Sequence, residues 1–182
     1  MAEVADYARG IGGTINAPMP LFNMTTLRSK LAPGQRLLGL DPGSRTIGVA
    51  LTDVTLMLAS PHGRIPRGKL AANAAEIARV AHRLNVGGIV IGLPLSMDGT
   101  AGPAAQAARD WAHALSDATG LPCALYDERM SSAAVNRFLT DEADMTRKRR
   151  SEVVDQMAAA YMLQAALDAS SPERPDEDDD ED

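Results

Sequence analysis

The chain has 182 residues, of which 45% are hydrophobic and 23% are charged, a composition typical of one globular domain with tails. A single cysteine, Cys123, and three scattered histidines exclude a disulfide framework and a zinc site built from cysteine and histidine. Any metal would therefore be held mainly by oxygen ligands. No apolar run approaches about 18 residues, and the N-terminus lacks a basic-then-apolar signal pattern, so we expect a cytoplasmic protein.

The net charge of −6 is unevenly distributed along the chain. Residues 173–182 carry eight acids and one arginine, a net charge of −7, which leaves +1 for residues 1–172. A run of acids with proline cannot bury enough apolar surface to fold, so we predict a disordered acidic tail over residues 169–182. Residues 1–35 mix Gly, Pro and Asn around one possible short helix and are predicted to be a poorly ordered extension. The folded domain is then predicted to span residues 36–168.

The first predicted elements are strands. Two apolar runs, RLLGLD and IGVALTD, lie about five residues apart, the spacing of a β-hairpin. Residues 63–67, GRIPR, predict a third strand at a sheet edge, because Pro66 has no N–H to donate to a neighbouring strand. Residues 70–84 have apolar residues at helical spacing with charged residues between them, which predicts an amphipathic helix.

Strands and helices then alternate. Residues 86–94, VGGIVIGLP, are a continuous apolar run typical of a strand buried on both faces. Residues 100–120 predict a helix with Pro103 in its first turn and Gly120 just past its end. Residues 122–128, PCALYDE, predict another strand. Two more helices are predicted, over residues 131–139 and 151–167. This order predicts an α/β fold with a mixed sheet of about five strands and helices on both faces.

Three acids stand apart from the others. Asp41 ends the first strand, Glu128 ends the last strand, and Asp155 lies on the row of the closing helix that is otherwise small and apolar. Parallel strands end at one edge of a sheet, and a helix laid across the sheet can bring its own carboxylate there. Three carboxylates cannot share a small space as bare anions, because like charges raise each other's pKa. A divalent cation, Mg²⁺ or Mn²⁺, resolves this conflict.

Such a site has a defined chemistry and competing explanations. Two divalent ions about 4 Å apart can activate a water and stabilise the leaving oxygen of a phosphodiester. Asp41 before Pro-Gly is, however, also typical of a turn. Asp155 could instead form a buried ion pair with Arg129 or Arg45.

A basic cluster begins the closing helix: Arg147, Lys148, Arg149 and Arg150. It precedes Asp155 by one to two turns, where a phosphate backbone would have to pass, so we predict nucleic-acid contact, the alternative being a solvated helix start. Arg45 and Arg129, which follow the strand-end acids, belong to the same predicted nucleic-acid-binding set. Aromatic residues make up only 3% of the chain, so base stacking is not expected to dominate.

Four sequence blocks, in order, resemble the YqgF family, also called RuvX: GLDPGSRTIGVALTD, IVIGLPLSMDGTAGP, YDERMSS and RKRRSEVVDQMAAAYMLQAALD. The resemblance covers about residues 36–168. It implies a ribonuclease H-like fold and a metal-dependent nuclease acting in 5′-end processing of pre-16S rRNA, a step of ribosome biogenesis. It implies Asp41, Glu128 and Asp155 as the acidic site. The choice of Glu128 over the neighbouring Asp127 depends on this resemblance.

Other functions stay open. A DNA endonuclease similar to Holliday junction resolvases is one alternative, although the related RuvC resolvases carry an acid at the strand that reads IVIGLP here. A non-catalytic nucleic-acid-binding module is a second. The opening hairpin also resembles the phosphate-binding hairpin of actin-like ATPases, but this chain has no room for their second domain. Precursor ribosomal particles are possible partners, and the residues favour neither monomer nor dimer.

Overall fold

The computed structural model describes residues 19–95, 101–127 and 147–171, and in the last of these ranges the side chains from residue 157 onward. The strands in this part of the chain are β1 (Leu21–Phe22), β2 (Arg36–Pro42), β3 (Thr46–Thr52), β4 (Ala59–Pro66), β5 (Val86–Leu93) and β6 (Cys123–Asp127). The helices are α1 (Met24–Ser29), α2 (Leu70–Arg83), α3 (Pro103–Thr119) and α4 (Arg147–Ala169).

The strands form one mixed sheet in the order β1-β6-β5-β2-β3-β4. Strands β2, β3 and β4 are an antiparallel meander, whereas β5 is parallel to β2, β6 is parallel to β5 and β1 is parallel to β6. The α/β fold with a mixed sheet is therefore confirmed. The predicted edge position of GRIPR is confirmed as well, since β4 is the last strand in the order and Pro66 is its final residue.

The sheet has one strand more than predicted among the residues described. Strand β1 pairs Leu21 with Cys123 and Phe22 with Ala124. It lies in the region predicted to be a poorly ordered extension. Two residues are too few to show the alternation by which a strand is recognised, and the pairing partner lies about a hundred residues away in sequence.

The short helix α1 also belongs to the packed body. Asn23 caps it by accepting a hydrogen bond from the backbone N–H of Thr26 at 2.8 Å. Leu27 is fully buried against β5, and a Cβ on Gly88 would lie only 2.8 Å from its Cδ1 atom. The packed structure therefore starts before residue 36, the predicted boundary.

Two apolar layers enclose the sheet. Leu38 and Leu40 of β2 face a core formed with α2 and α3, whereas Leu37 faces a second core formed with α1 and α4. This alternation follows from the pleat of a strand. Helices thus cover both faces, as predicted. Every residue of β5 is buried, which confirms the strand expected to be covered on both faces.

The bounds of α3 follow local sequence signals. Pro103 occupies its first turn, and Gly120 ends it with φ at 70°, a left-handed conformation that costs glycine little. No helix within the described residues is both long enough and apolar enough to cross a membrane.

Candidate active site

Asp41 is the penultimate residue of β2, which lies between β5 and β3 inside the sheet. Its neighbours Leu40 and Leu38 face α2 and α3, so the alternation of the strand places Asp41 on the opposite face, the face covered by α4. The residue is half-buried. The predicted position of this acid, at the end of an inner strand and on one face of the sheet, is therefore what the backbone shows.

The parallel strands end beside Asp41. The register aligns Leu40 with Ile91 of β5, and Ile91 with Leu125 of β6. Gly92 pairs with Tyr126, and continuing the β2–β5 register by one residue places Asp41 in the same row. Gly92 has no side chain, so the neighbouring strand contributes neither an acid nor bulk next to Asp41. The absence of an acid from β5, noted in the sequence, thus holds at this row of the sheet.

The register also separates Asp127 from Asp41. Cys123 and Leu125 of β6 contact the core on the α2 and α3 side, and Asp127 is two residues beyond Leu125 on the same face. Asp41 lies on the other face. The structure therefore does not bring these two acids together. Glu128 lies outside the described residues.

Helix α4 passes very close to β2. A Cβ on Gly39 would lie 2.9 Å from the Cβ of Leu163, so the helix can approach this far only because residue 39 is glycine. Gly39 thus serves the packing of α4 against the sheet.

The direction of α4 follows from its contacts. Near its C-terminal end, Arg28 Nη1 donates to the carbonyl of Leu167 at 3.1 Å, and the N–H of Ala59 donates to Gln164 Oε1 at 2.8 Å. Arg28 and Ala59 lie toward the edge of the sheet where β2 begins. Leu163 lies over the middle of β2, at Gly39. The turns of α4 before Leu163 therefore extend toward the edge where β2 ends at Asp41.

The predicted row of α4 faces the sheet. Ala159, Met162 and Ala166 are buried in the core shared with β2. Asp155 lies one turn before Ala159 in the helix, and its side chain lies outside what the structure describes, as do Arg129 and the side chains of the Arg147 to Arg150 cluster. Of the predicted acidic site, the structure describes the Asp41 side chain and the helical backbone that carries Asp155.

Of the predicted metal ligands, Asp41 is the one whose side chain the structure describes. Among the side chains that the structure describes, no three His, Cys, Asp or Glu residues come together to hold an ion. Cys123 is not a candidate, because burial in the core raises the pKa of its thiol to about 12. The predicted metal site at Asp41, Glu128 and Asp155 therefore stays a prediction.

An arginine that was not predicted lies at the Asp41 end of the sheet. Arg67 Nη1 donates to the carbonyl of Gly43 at 2.7 Å and to that of Pro42 at 3.1 Å, in the turn directly after Asp41. Its backbone N–H donates to the carbonyl of Arg45 at 2.9 Å. Both arginines are exposed. The β3–β4 register creates this contact, because it brings residue 66 beside residue 46. No local sequence pattern reveals that register.

A second strand-end aspartate, Asp53, lies at the opposite end of the same hairpin. Its carboxylate accepts hydrogen bonds from the hydroxyl and N–H of Thr55 and from the N–H groups of Met57 and Leu58. These donors, the Thr55 hydroxyl first, hold the pKa of Asp53 well below its usual range. Asp53 therefore closes a loop, and this structural role accounts for an aspartate at the end of β3 without a catalytic role.

A family model and several known proteins are similar in sequence to this chain. Residues 35–169 match the family model described as RuvX, Holliday junction resolvase. A protein of Gluconacetobacter diazotrophicus, provisionally named a pre-16S rRNA nuclease, is 65% identical over 84% of this chain and 99% of its own length. A protein of Gluconobacter oxydans with the same name is 64% identical over 87% of this chain and 99% of its own length.

Solved structures are more distantly similar. A structure of T. thermophilus RuvC in complex with a Holliday junction substrate is 18% identical, with a TM-score of 0.48, over 74% of this chain and 94% of that chain. A structure of Thermus thermophilus RuvC is 16% identical, with a TM-score of 0.44, over 74% of this chain and 95% of that chain.

Proposed function

The chain belongs to the RuvX family, and we propose that it is a metal-dependent nuclease that hydrolyses phosphodiester bonds in 5′-end processing of pre-16S rRNA. The observation that carries the proposal is the position of Asp41. It lies at the end of an inner strand, on the face covered by α4, and the buried row of α4 leads back to Asp155. Relatives that this chain matches over most of their length are named for this activity.

The acidic site in this proposal consists of Asp41, Glu128 and Asp155. Two strand residues, about 7 Å, separate Asp41 from Gly39 along β2, and eight helical residues, about 12 Å, separate Asp155 from Leu163 along α4. Since Leu163 contacts Gly39, the strand segment that leads to Asp41 and the helix segment that leads to Asp155 both run toward the same edge of the sheet. Asp127 belongs to the other face, which supports Glu128 as the acid contributed by the end of β6.

The donor set suits Mg²⁺ or Mn²⁺, because carboxylate oxygens are the ligands that these hard cations prefer. What the ions supply when bound is activation of a water and neutralisation of charge on the departing phosphate oxygen. The carboxylates of the three acids would hold and orient them. Asp41 is half-buried on an inner strand that pairs with β3 and β5, and this pairing fixes the backbone from which its carboxylate extends.

Nucleic-acid binding is assigned to the cations around this edge. Arg45 is exposed in the turn that follows Asp41, as the predicted binding set requires. Arg129 and the Arg147 to Arg150 cluster are proposed to continue the phosphate contacts at the start of α4. Cytoplasmic location and precursor ribosomal particles as partners are part of the same proposal.

Cleavage of defined substrates tests the proposal. The purified protein is incubated with an RNA fragment spanning the 5′ end of pre-16S rRNA, with Mn²⁺ or with EDTA. We expect new 5′ ends in Mn²⁺ and none in EDTA. A four-way DNA junction serves as the parallel substrate. Cleavage of the junction with an intact RNA would favour the resolvase alternative, and cleavage of neither would favour a non-catalytic binding module.

A further inference from the structure

Arg67 carries a guanidinium whose two sides differ. Nη1 donates hydrogen bonds to the carbonyls of Pro42 and Gly43. The residues that the structure describes place no hydrogen-bond partner on Nε or Nη2, and the side chain is exposed. The Nε and Nη2 hydrogens form the parallel pair that binds a phosphate or carboxylate in bidentate fashion. One side of the group is thus anchored and the other faces solvent.

The anchor fixes Arg67 on the turn that directly follows Asp41. Pro42 and Gly43 are the two residues that follow Asp41, and the turn they open is tight, since a Cβ on Gly43 would lie 2.8 Å from the carbonyl oxygen of Thr46. A tight turn holds its carbonyls in one orientation. The guanidinium bound to them is therefore held in advance, which lowers the entropy lost when a ligand binds.

The charge around Arg67 favours an anion. Residues 59–69 contain three cations and no acid: Arg64, Arg67 and Lys69. Arg45, on the facing turn, adds a fourth cation, and the backbone hydrogen bond from Arg67 links the two segments. These four cations lie near the edge of the sheet where β2 ends, so a substrate phosphate would meet positive charge close to the acidic residue Asp41.

We propose that Arg67 binds a backbone phosphate of the nucleic-acid substrate through Nε and Nη2, next to the acidic site. This inference rests on the proposed nuclease function and adds to it a substrate-binding residue from the segment after β4. A competing explanation is that Arg67 only holds the turn. The two explanations differ in salt dependence, because a phosphate contact releases counterions on binding and a turn clamp does not.

The test compares binding of Arg67→Ala, Arg67→Lys and the wild type to one labelled probe. The probe is an RNA hairpin with a single-stranded 5′ extension, and affinity is measured in EDTA over a series of NaCl concentrations. We expect Arg67→Ala to bind several-fold more weakly at low salt, with the slope of log affinity against log salt reduced by about 0.7. Arg67→Lys keeps a charge and should restore most of that slope.

Arg79→Ala is the matched control. This substitution also removes one exposed positive charge. Arg79, however, lies on α2, which packs on the face of the sheet opposite Asp41, and it pairs with Glu76. We expect its slope to equal that of the wild type. A slope for Arg67→Ala equal to that of Arg79→Ala would overturn the inference, even if affinity fell, because a disturbed turn weakens binding without changing the counterions released.

Cleavage of the same RNA by the wild type in Mn²⁺ is measured in parallel. Binding without cleavage would count against the proposed nuclease function, while the comparison of slopes would still decide the role of Arg67.

Discussion

The β2–β3 hairpin has an aspartate at each end, and the two ends are built differently. At the Asp53 end, the carboxylate itself closes the loop by accepting hydrogen bonds from three backbone N–H groups and one hydroxyl. At the Asp41 end, the turn is closed by Arg67, which donates to the carbonyls of Pro42 and Gly43. An apolar run that ends on Asp therefore identifies a strand end, whereas the surrounding tertiary contacts decide what the acid does.

Substituting the three proposed site acids one at a time should have the largest effect on cleavage. We expect Asp41→Asn, Glu128→Gln and Asp155→Asn each to reduce cleavage to background. The fold should survive, because relief of the repulsion between carboxylates offsets much of the stability lost. Melting temperatures in EDTA should stay level or rise. Asp53→Asn is the control and should cleave normally below its melting temperature. Wild-type turnover in all three variants would refute the assignment.

Gly39→Ala should have the next largest effect. The added methyl group would lie 2.9 Å from the Cβ of Leu163, an atom that cannot rotate away, so α4 must shift. We expect a loss of about 1–3 kcal/mol in the free energy of unfolding, the usual result of overpacking. Cleavage should also fall, since the same helix carries Asp155. Gly68→Ala, at a glycine with open space around it, is the matched control. Denaturant unfolding and a cleavage assay measure both quantities.

Asp53 should affect stability alone. Asp53→Ala leaves three backbone N–H groups without their acceptor in a partly exposed loop, so we expect a loss of about 1–2 kcal/mol. The pKa of Asp53 is lowered in the folded protein, so its contribution is present above the unfolded pKa of about 4 and disappears as the pH falls further. The difference in melting temperature from the wild type should be constant from about pH 5 to 8 and shrink below pH 4. A difference that does not shrink in acid would show that the charged carboxylate is not responsible.

The acidic tail should have the smallest effect. One hypothesis is that residues 173–182 compete with substrate phosphates for the Arg147 to Arg150 cluster, and the alternative is that they only maintain solubility. Competition requires that deletion of residues 172–182 tighten RNA binding at low salt, with the gain fading as salt rises. Unchanged affinity across the salt series would leave solubility as the explanation.

Much of the fold could be predicted because it follows from local patterns. The short apolar runs of β2 and β3, the continuous apolar run of β5 and the helical spacing in α2 each occur within a single short segment. Strand β1 and the burial of Leu27 could not be predicted, since both depend on partners far away in sequence. For such contacts, the sequence contains the residues but not their pairing.

The candidate site likewise contains residues that a local sequence signal predicts and residues that it does not. Asp41 could be predicted because a strand end before Pro-Gly is a local signal. The separation of Asp127 from Asp41 required the register of β6, and Arg67 required the register of β4. Neither register follows from a local pattern. The side chains of Glu128 and Asp155 remain predictions, supported by the face of β6 and the direction of α4.

We propose above that the Asp41 end of the sheet is the active site of a pre-16S rRNA nuclease. Mapping the 5′ ends of 16S rRNA in cells depleted of the protein, and complemented with either the wild type or Asp41→Asn, tests it most directly. We expect extended 5′ ends after depletion, mature ends with the wild type, and extended ends with Asp41→Asn expressed at the same level. Mature 5′ ends in cells that contain only Asp41→Asn would contradict the claim.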